Sequence, residues 1–458
     1  MSVTSDFAGF VSKTGYGDLP QDVIQKAKKL VLDLLGSIMY SSKMDWSRKV
    51  VALVRGFGAP GESTVVPFGF RTSAPAAALA NGTMGHGFEL DDVHDGGMHH
   101  PGAVVIPAAL ATGEQESVDG RQFLLATVMG YEAMCRIGMA VSAKHHNLRG
   151  FHGTGTCGPF GAAVAGGKIV GLRKESFIDA LGIAGSLCSG LLEFSQESSE
   201  AGGMIKRLHA GRASESGLIA ALLAKNGFRG PSDVIGGKYG FCNVYSDHPQ
   251  VHVMNEELGR RYEIMNVGIK PYPCCALVHP MIDAVMDLRE KYGFKGDDVE
   301  EIEVGCSQNV VDHNVIHEIG SIMAAQYSAP FAVALAVAEG VTDPNNFNRV
   351  SGDRRIIKDI MKRTKFVKDD DLDKIFPEVQ GARVTVKLKG GKSLENRVMH
   401  AKGRPQNEMS LGDVCDKFAA LTRDTISDTR RDQLIELVNT LEKASDISGL
   451  TGLLVHDG

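Results

Sequence analysis

The chain has no run of five Lys or Arg residues anywhere in its 458, and its formal charge is −6. Nucleic acid and anionic membrane surfaces both demand a concentrated basic face, so neither is an expected partner. No stretch approaches eighteen uninterrupted apolar residues, so no membrane-spanning helix is predicted. The opening MSVTSDFAGFVSKTGYG lacks a basic head followed by an apolar core. A secretory signal is therefore not expected, and the expected location is the cytoplasm or an organelle matrix. None of the 8 cysteines belongs to a C-x-x-C pair, and the adjacent Cys274-Cys275 suits neither zinc nor an iron–sulfur cluster. The cysteines read as small apolar residues in a reducing compartment, except Cys274 and Cys275, which lie beside a candidate site. No internal repeat or low-complexity tract is evident.

What is present is ordinary globular material: 43% hydrophobic and 23% charged residues, in a chain longer than one core usually supports. Two domains follow as the default. Between Pro20 and Ser41, Val23, Ile24, Ala27, Leu30, Val31, Leu34, Leu35 and Ile38 form one helical stripe, with proline in the first turn. Similar spacing fills 121–143, 174–190 and 212–226. In PFGAAVAGGKIVGL, from Pro159, small residues recur at helical spacing, which lets helix axes approach closely although each interior glycine costs about 1 kcal/mol. The character changes near residue 265. Residues 300–305 and 382–388 alternate with period two, and Gly390-Gly391 before 394–399 signals a hairpin. Helical segments at 279–292 and 322–339 accompany these strands, and 411–444 returns to helical spacing. The predicted class is mainly α with an α+β second domain: a helical domain over 1–266, an α+β domain over 267–403, and C-terminal helices over 404–458 that return to the helical domain.

Four segments could carry chemistry. The densest is GHGFELDDVHDGGMHHPGAVVIPAALA, from Gly85, which packs His86, Glu89, Asp91, Asp92, His94, Asp95, His99 and His100 ahead of Pro101 and an apolar helix. Three readings stand side by side. It could be a metal site, although no H-E-x-x-H spacing is present. It could be capping acids and solvated histidines. It could be an acid–base loop in which a carboxylate orients a histidine that titrates near working pH. The second segment, RGFHGTGTCGPFGAA, sets His152 before a Gly/Thr-rich turn that opens a helix near Pro159. Its backbone N–H groups could hold an anion, but the glycines do not fit a P-loop. The alternative is a tight turn with a buried histidine. The third, MIKRLHAGRASESG, gathers Lys206, Arg207, His209 and Arg212 just ahead of a helix, suited to carboxylates or simply a solvated basic face. In the fourth, VGIKPYPCCALVHPMIDAV, two prolines force an extended entry, with Lys270 before them and His279 after. A core histidine and a surface lysine would also explain it.

Together the four segments, in order and along nearly the whole chain, resemble the MmgE/PrpD family. The resemblance rests on H-x-x-x-x-D-D…H-P, RGFH-x-T-G-T-x-G, KRLHAGRA-x-x-SG and K-P-Y-P-x-C-x-x-x-H, with VIQKAKKLVLDLLGSIM similar to the family's first helix. It implies a large helical domain built from both chain ends, an inserted smaller α+β domain and a homodimer. It also implies enzymes without cofactor or metal acting on small polycarboxylates, as dehydratases, decarboxylases or epimerases. Carried over by position, the catalytic set would be His99, Asp91, Asp92, His152 and His279, with Glu89, Lys206, Arg207 and Lys270 binding substrate. Glu89 stands where the decarboxylases have an aspartate. Val93 stands where the family often has threonine, which removes a hydroxyl from the site wall. The favoured reaction is a hydro-lyase step that starts with proton abstraction next to a carboxylate; epimerisation and decarboxylation are the alternatives. His99 is expected to carry the proton. His100, extended before Pro101, is expected to face the other way.

Overall fold

The computed structural model describes residues 2–196, 200–349 and 354–455. The chain divides into two compact units, the first made of Met1–Gln196, Met204–Ile269 and Ser410–Gly458 and the second built on Lys270–Met409. The first is helical and the second mixes helices with a four-stranded sheet.

Helix α1 (Gln21–Ser41) shows why the first unit is thick. Its predicted stripe is buried, but so are Lys26, Lys28 and Asp33 on other faces. Pro20 is the residue before its first turn, where φ is −59°. The helix is covered all round partly because the chain returns: α10 (Leu411–Thr422) packs on it, and Lys417 Nζ reaches Asp33 Oδ1 at 2.5 Å and the Leu90 carbonyl at 2.7 Å. The middle is formed by α2 (Ala74–Gly85), α3 (Gly102–Gln115), α4 (Gly120–Ala140), α5 (Gly153–Ile169) and α6 (Glu200–Lys225). Glycine permits their contacts. A Cβ on Gly161 would lie 3.0 Å from the Gly130 carbonyl and 2.8 Å from Met134 Cβ, and one on Gly211 would lie 2.2 Å from the Leu79 carbonyl. Helix α4 has the length and apolar content of a membrane span, but 94% of that window is buried inside the fold, as in a core helix.

Two predicted boundaries move. Helix α5 begins at Gly153, not near Pro159, so the Gly/Thr run is helix rather than turn. Close neighbours favour small residues there: a Cβ on Gly155 would meet the Ser189 carbonyl at 2.4 Å. Helix α6 begins at Glu200, so Lys206, Arg207, His209 and Arg212 lie within a helix rather than ahead of one.

A two-residue strand β1 (Val93–His94) pairs antiparallel with β2 (Val267–Gly268), which places 267–268 in the first unit. In the second unit, β3 (Val299–Cys306) is flanked by β4 (Thr364–Lys368), parallel to it, and β5 (Ala382–Leu388), antiparallel. The hairpin to β6 (Ser393–Val398) turns at Gly390 and Gly391, with φ of 150° and 84°, values that glycine reaches without strain. Helix α7 (His279–Tyr292) packs on β5 and β6 and against α8 (Ala329–Ala338), which also meets α9 (Arg355–Arg363). The single helix predicted over 322–339 is two: Ser328 ends the first part, and its hydroxyl caps the second by accepting from the Phe331 N–H at 3.0 Å.

Candidate active site

The site is built on the 86–101 loop of the first unit, held from both ends. His86 ends α2, and Pro101 precedes α3. Between them, His94 and His99 form an antiparallel bridge, the His94 N–H donating to the His99 carbonyl at 3.0 Å. Residues paired across such a bridge point to the same side, and the next residue points to the other. That rule decides which way His94, His99 and His100 face.

His99 shares its side with His94. Their rings stack with centroids 5.5 Å apart, and His99 Nε2 donates to the Met134 carbonyl at 3.1 Å. The ring is fully buried against Gly97 and Gly138. Burial first, then His94 and His100, pushes its pKa well below the ordinary histidine value. The structure thus turns the expected proton carrier into the core beside α4. His100 takes the other side, among the polar groups. Its Nδ1 donates to the Asp92 carbonyl at 2.7 Å and lies 3.5 Å from Asp91 Oδ2. Its ring is 4.7 Å from that of His86. The backbone N–H of His100 donates to Thr154 Oγ1 at 3.2 Å, which ties the loop to α5.

Asp91 is the hinge of the cluster. Its Oδ2 accepts from His86 Nδ1 at 2.7 Å, both side chains being fully buried. The carboxylate holds the Nδ1 hydrogen of His86, and the opposite ring nitrogen, Nε2, has no hydrogen-bond partner. A carboxylate on one imidazole nitrogen with the other left open is the arrangement of a histidine that exchanges protons with a substrate. His152 precedes α5, with its ring 6.1 Å from His86 and Nδ1 3.0 Å from His209 Nδ1. Burial, then His209, His86, Lys206 and His100, drives its pKa well below the usual value, so it is uncharged at neutral pH. Phe194 closes this side, edge-on to both His152 and His209. Lys206 projects from α6 onto Glu89 in a buried ion pair. Glu89 sits at φ 55°, a region that side-chain-bearing residues seldom occupy, so the loop bends sharply to present it.

Two further expected site residues serve the scaffold. Asp92 accepts from the Gly102 N–H at 2.9 Å and from the Tyr131 hydroxyl at 2.6 Å, so both its oxygens pin the start of α3 to α4. Burial raises its pKa to about 7. Arg207 points away from Lys206: its Nε donates to the Gly87 carbonyl at 2.6 Å and its guanidinium lies over the Trp46 ring at 4.2 Å. Val93, half-buried in β1, pairs with Gly268.

Lys270 and His279 belong to the second unit, where both are buried. His279 opens α7, with Nε2 3.3 Å from the Cys274 carbonyl and its ring edge-on to Tyr272 at 5.1 Å. Cys274 is buried and Cys275 half-buried, and all eight cysteines are free thiols.

Two groups bring three possible metal ligands together among the described residues: His94 with His99 and Cys135, and His86 with Asp91 and His100. In the first, the imidazole planes are only 23° apart, so their in-plane lone pairs run side by side instead of converging. In the second, both Nδ1 atoms donate hydrogen bonds, to Asp91 and to the Asp92 carbonyl, so a metal would have to be met by Nε2.

The structure therefore gathers Glu89, Asp91, His152 and Lys206, and adds three residues that the sequence left unassigned: His86, His100 and His209. The H-P dipeptide was the one available signal for His100. His86 is the histidine of H-x-x-x-x-D-D, and its role comes from the carboxylate five residues on.

The chain aligns over 99% of its length with proteins named cis-aconitate decarboxylase. One from Aspergillus terreus is 28% identical over 96% of its own length, and those from mouse and human are each 26% identical over 93% and 94% of theirs. The family model of the MmgE/PrpD N-terminal domain matches residues 5–254, and that of the MmgE/PrpD C-terminal domain matches 272–443. With both domains present in order, the chain belongs to the MmgE/PrpD family.

Proposed function

We propose that this protein is a carboxy-lyase acting on a small unsaturated polycarboxylate of the cis-aconitate kind, with no metal taking part. The observation that carries the reading is a buried cluster of imidazoles, with His86 on Asp91 and an uncharged His152 next to it, beside a buried lysine, in a chain that aligns end to end with decarboxylases. Loss of CO₂ leaves an electron pair on carbon, and the enzyme must protonate that carbon. An imidazole N–H supplies the proton without placing another cation in the site. A low-dielectric cavity favours neutral CO₂ over the carboxylate it came from, and Lys206 can anchor a carboxylate that stays.

A hydro-lyase reaction, the first expectation, needs an acid beside the departing hydroxide. Val93 has no hydroxyl, and Asp92 and Tyr131 hold each other, so none of these three supplies that acid. That favours decarboxylation over dehydration.

The test is incubation with cis-aconitate, citrate, 2-methylcitrate and iminodisuccinate in D₂O, followed by proton NMR and CO₂ detection. Decarboxylation gives a product one carbon shorter with a single deuterium at the new C–H bond. Dehydration releases no CO₂, and epimerisation exchanges a proton without changing composition. If none of the acids releases CO₂, the carboxy-lyase reading is wrong. Exhaustive chelation should leave turnover unchanged, and recovery of a lost activity by one divalent metal would overturn the metal-free part.

A further inference from the structure

His152 and His209 face each other through the same atom type, Nδ1 to Nδ1, 3.0 Å apart. Two bare nitrogens cannot sit at that distance without a proton between them, and two N–H groups would repel. A neutral pair therefore shares one proton, and its position fixes both rings at once. If His152 holds it, His152 Nε2 is a lone pair and His209 Nε2 carries hydrogen. If His209 holds it, His152 Nε2 carries hydrogen and His209 Nε2 is the lone pair. We infer that His209 is a positioning residue: by exchanging this proton it switches His152 between base and acid and connects it to water.

Resting on the function proposed above, the step balances without any imidazolium at rest. His152 Nε2–H gives its proton to the substrate carbon. In the same movement the proton on His209 Nδ1 crosses to His152 Nδ1 and a water gives a proton to His209 Nε2, leaving hydroxide. Each ring ends neutral in its other tautomer, and the one proton that replaces CO₂ on carbon is drawn from solvent. No ring holds two protons for longer than the transfer.

The setting fits. His152 is buried, whereas His209 is partly exposed and so can exchange with solvent. Gly155 and Gly190 lie against the pair, where a Cβ would come within 3.4 Å of His209 Cβ and 3.6 Å of its Nδ1. The groups facing the pair are His86, His100 and Lys206, with Phe194 as the apolar wall. All the titratable ones disfavour a second positive charge, and His209 itself is lowered to about 4, by burial first and then by His86 and Lys206. A charged His152–His209 pair is thus expensive, and a relay between neutral tautomers avoids it.

The experiment is ¹⁵N NMR of the full-length protein labelled at histidine, at pH 7, with His209→Asn and His152→Asn as assignment partners. Both rings should be uncharged, and the two Nδ1 signals should lie between the values of protonated and bare nitrogen, as expected for one exchanging proton. In His209→Asn, His152 should settle into a single tautomer. An amide still hydrogen-bonds to Nδ1 but cannot relay, so kcat should fall roughly 10²-fold, in the range of acid–base help, with KM little changed. Either ring doubly protonated at pH 7, or a His152 tautomer identical in wild type and His209→Asn, would overturn the proposal. Full turnover in His209→Asn would do the same, because holding His152 in place would then suffice. If the wild type turns over none of the acids, the functional reading fails while the nitrogen spectra still decide whether the proton is shared.

Discussion

His99 and His100 are neighbours in sequence and opposites in chemistry, which makes them a matched pair for mutation. His100→Asn keeps a donor for the Asp92 carbonyl but removes Nε2, so the protein should fold and lose on the order of 10²–10⁴ in kcat. His99→Gln disturbs a ring packed on two glycines. It should lower the melting temperature by an amount corresponding to about 1–3 kcal/mol while the folded fraction still turns over. Equal activity losses at constant stability would contradict the side assignment made by the His94–His99 bridge. Lys206 is a harder case, because Lys206→Met strands the Glu89 carboxylate in the interior. The single variant should lose about 3–5 kcal/mol of stability, and Glu89→Gln added to it should recover much of that without restoring substrate binding. Recovery of both together would mean that Lys206 is only structural. Asp92 predicts a pH effect. Its folded pKa of about 7 lies above the ordinary 3.8, so the folded state holds a proton that the unfolded chain has lost. The stability this supplies is complete below about pH 4, declines between pH 4 and 7, and is gone above. The wild type should therefore lose roughly 4 kcal/mol relative to Asp92→Asn as pH rises across that window, in denaturant titrations at each pH. A difference independent of pH would show that the carboxyl stays ionised.

At the scale of elements, helix packing depends on the absence of side chains at a few contacts. Gly211→Ala would push a methyl into the Leu79 carbonyl and Thr83, so about 1–3 kcal/mol of destabilisation is expected, together with displacement of the helix that carries Lys206 and His209. Gly56→Ala, with nothing within 4 Å of its Cβ, should be neutral or stabilising by up to about 1 kcal/mol. Calorimetry on the two variants checks the contrast, and similar melting temperatures would refute it. Much of this level was legible in the sequence. Period-two runs and Gly390-Gly391 announced the hairpin, and the stripe from Val23 to Ile38 announced α1. The break at Ser328 was missed because apolar spacing runs through it and a capping hydroxyl leaves no periodic trace. The start of α5 was missed because glycine and threonine normally mark turns, and only close neighbours make a helix the better answer. The candidate site was half legible for a related reason. The sequence supplied the loop, Asp91, His152 and Lys206, but which of two adjacent histidines faces inward depends on a bridge between residues 94 and 99.

At the scale of the whole molecule, the first unit is assembled from separated stretches of chain. Lys417 meets Asp33 and the Leu90 carbonyl, Lys28 donates to the Asn439 carbonyl at 2.9 Å, and Thr451 donates to Glu114 at 2.9 Å. Of these contacts, the one from Lys417 reaches the 86–101 loop itself, at Leu90. A ribosome delivers them long after the loop. At 5–20 residues per second, the roughly 320 residues between His100 and Lys417 take about 15–60 s to synthesise, and during that interval α1 waits with one apolar side uncovered. The nascent chain thus has a long period in which its largest unit cannot close, and holding chaperones would find their target there rather than in the finished protein.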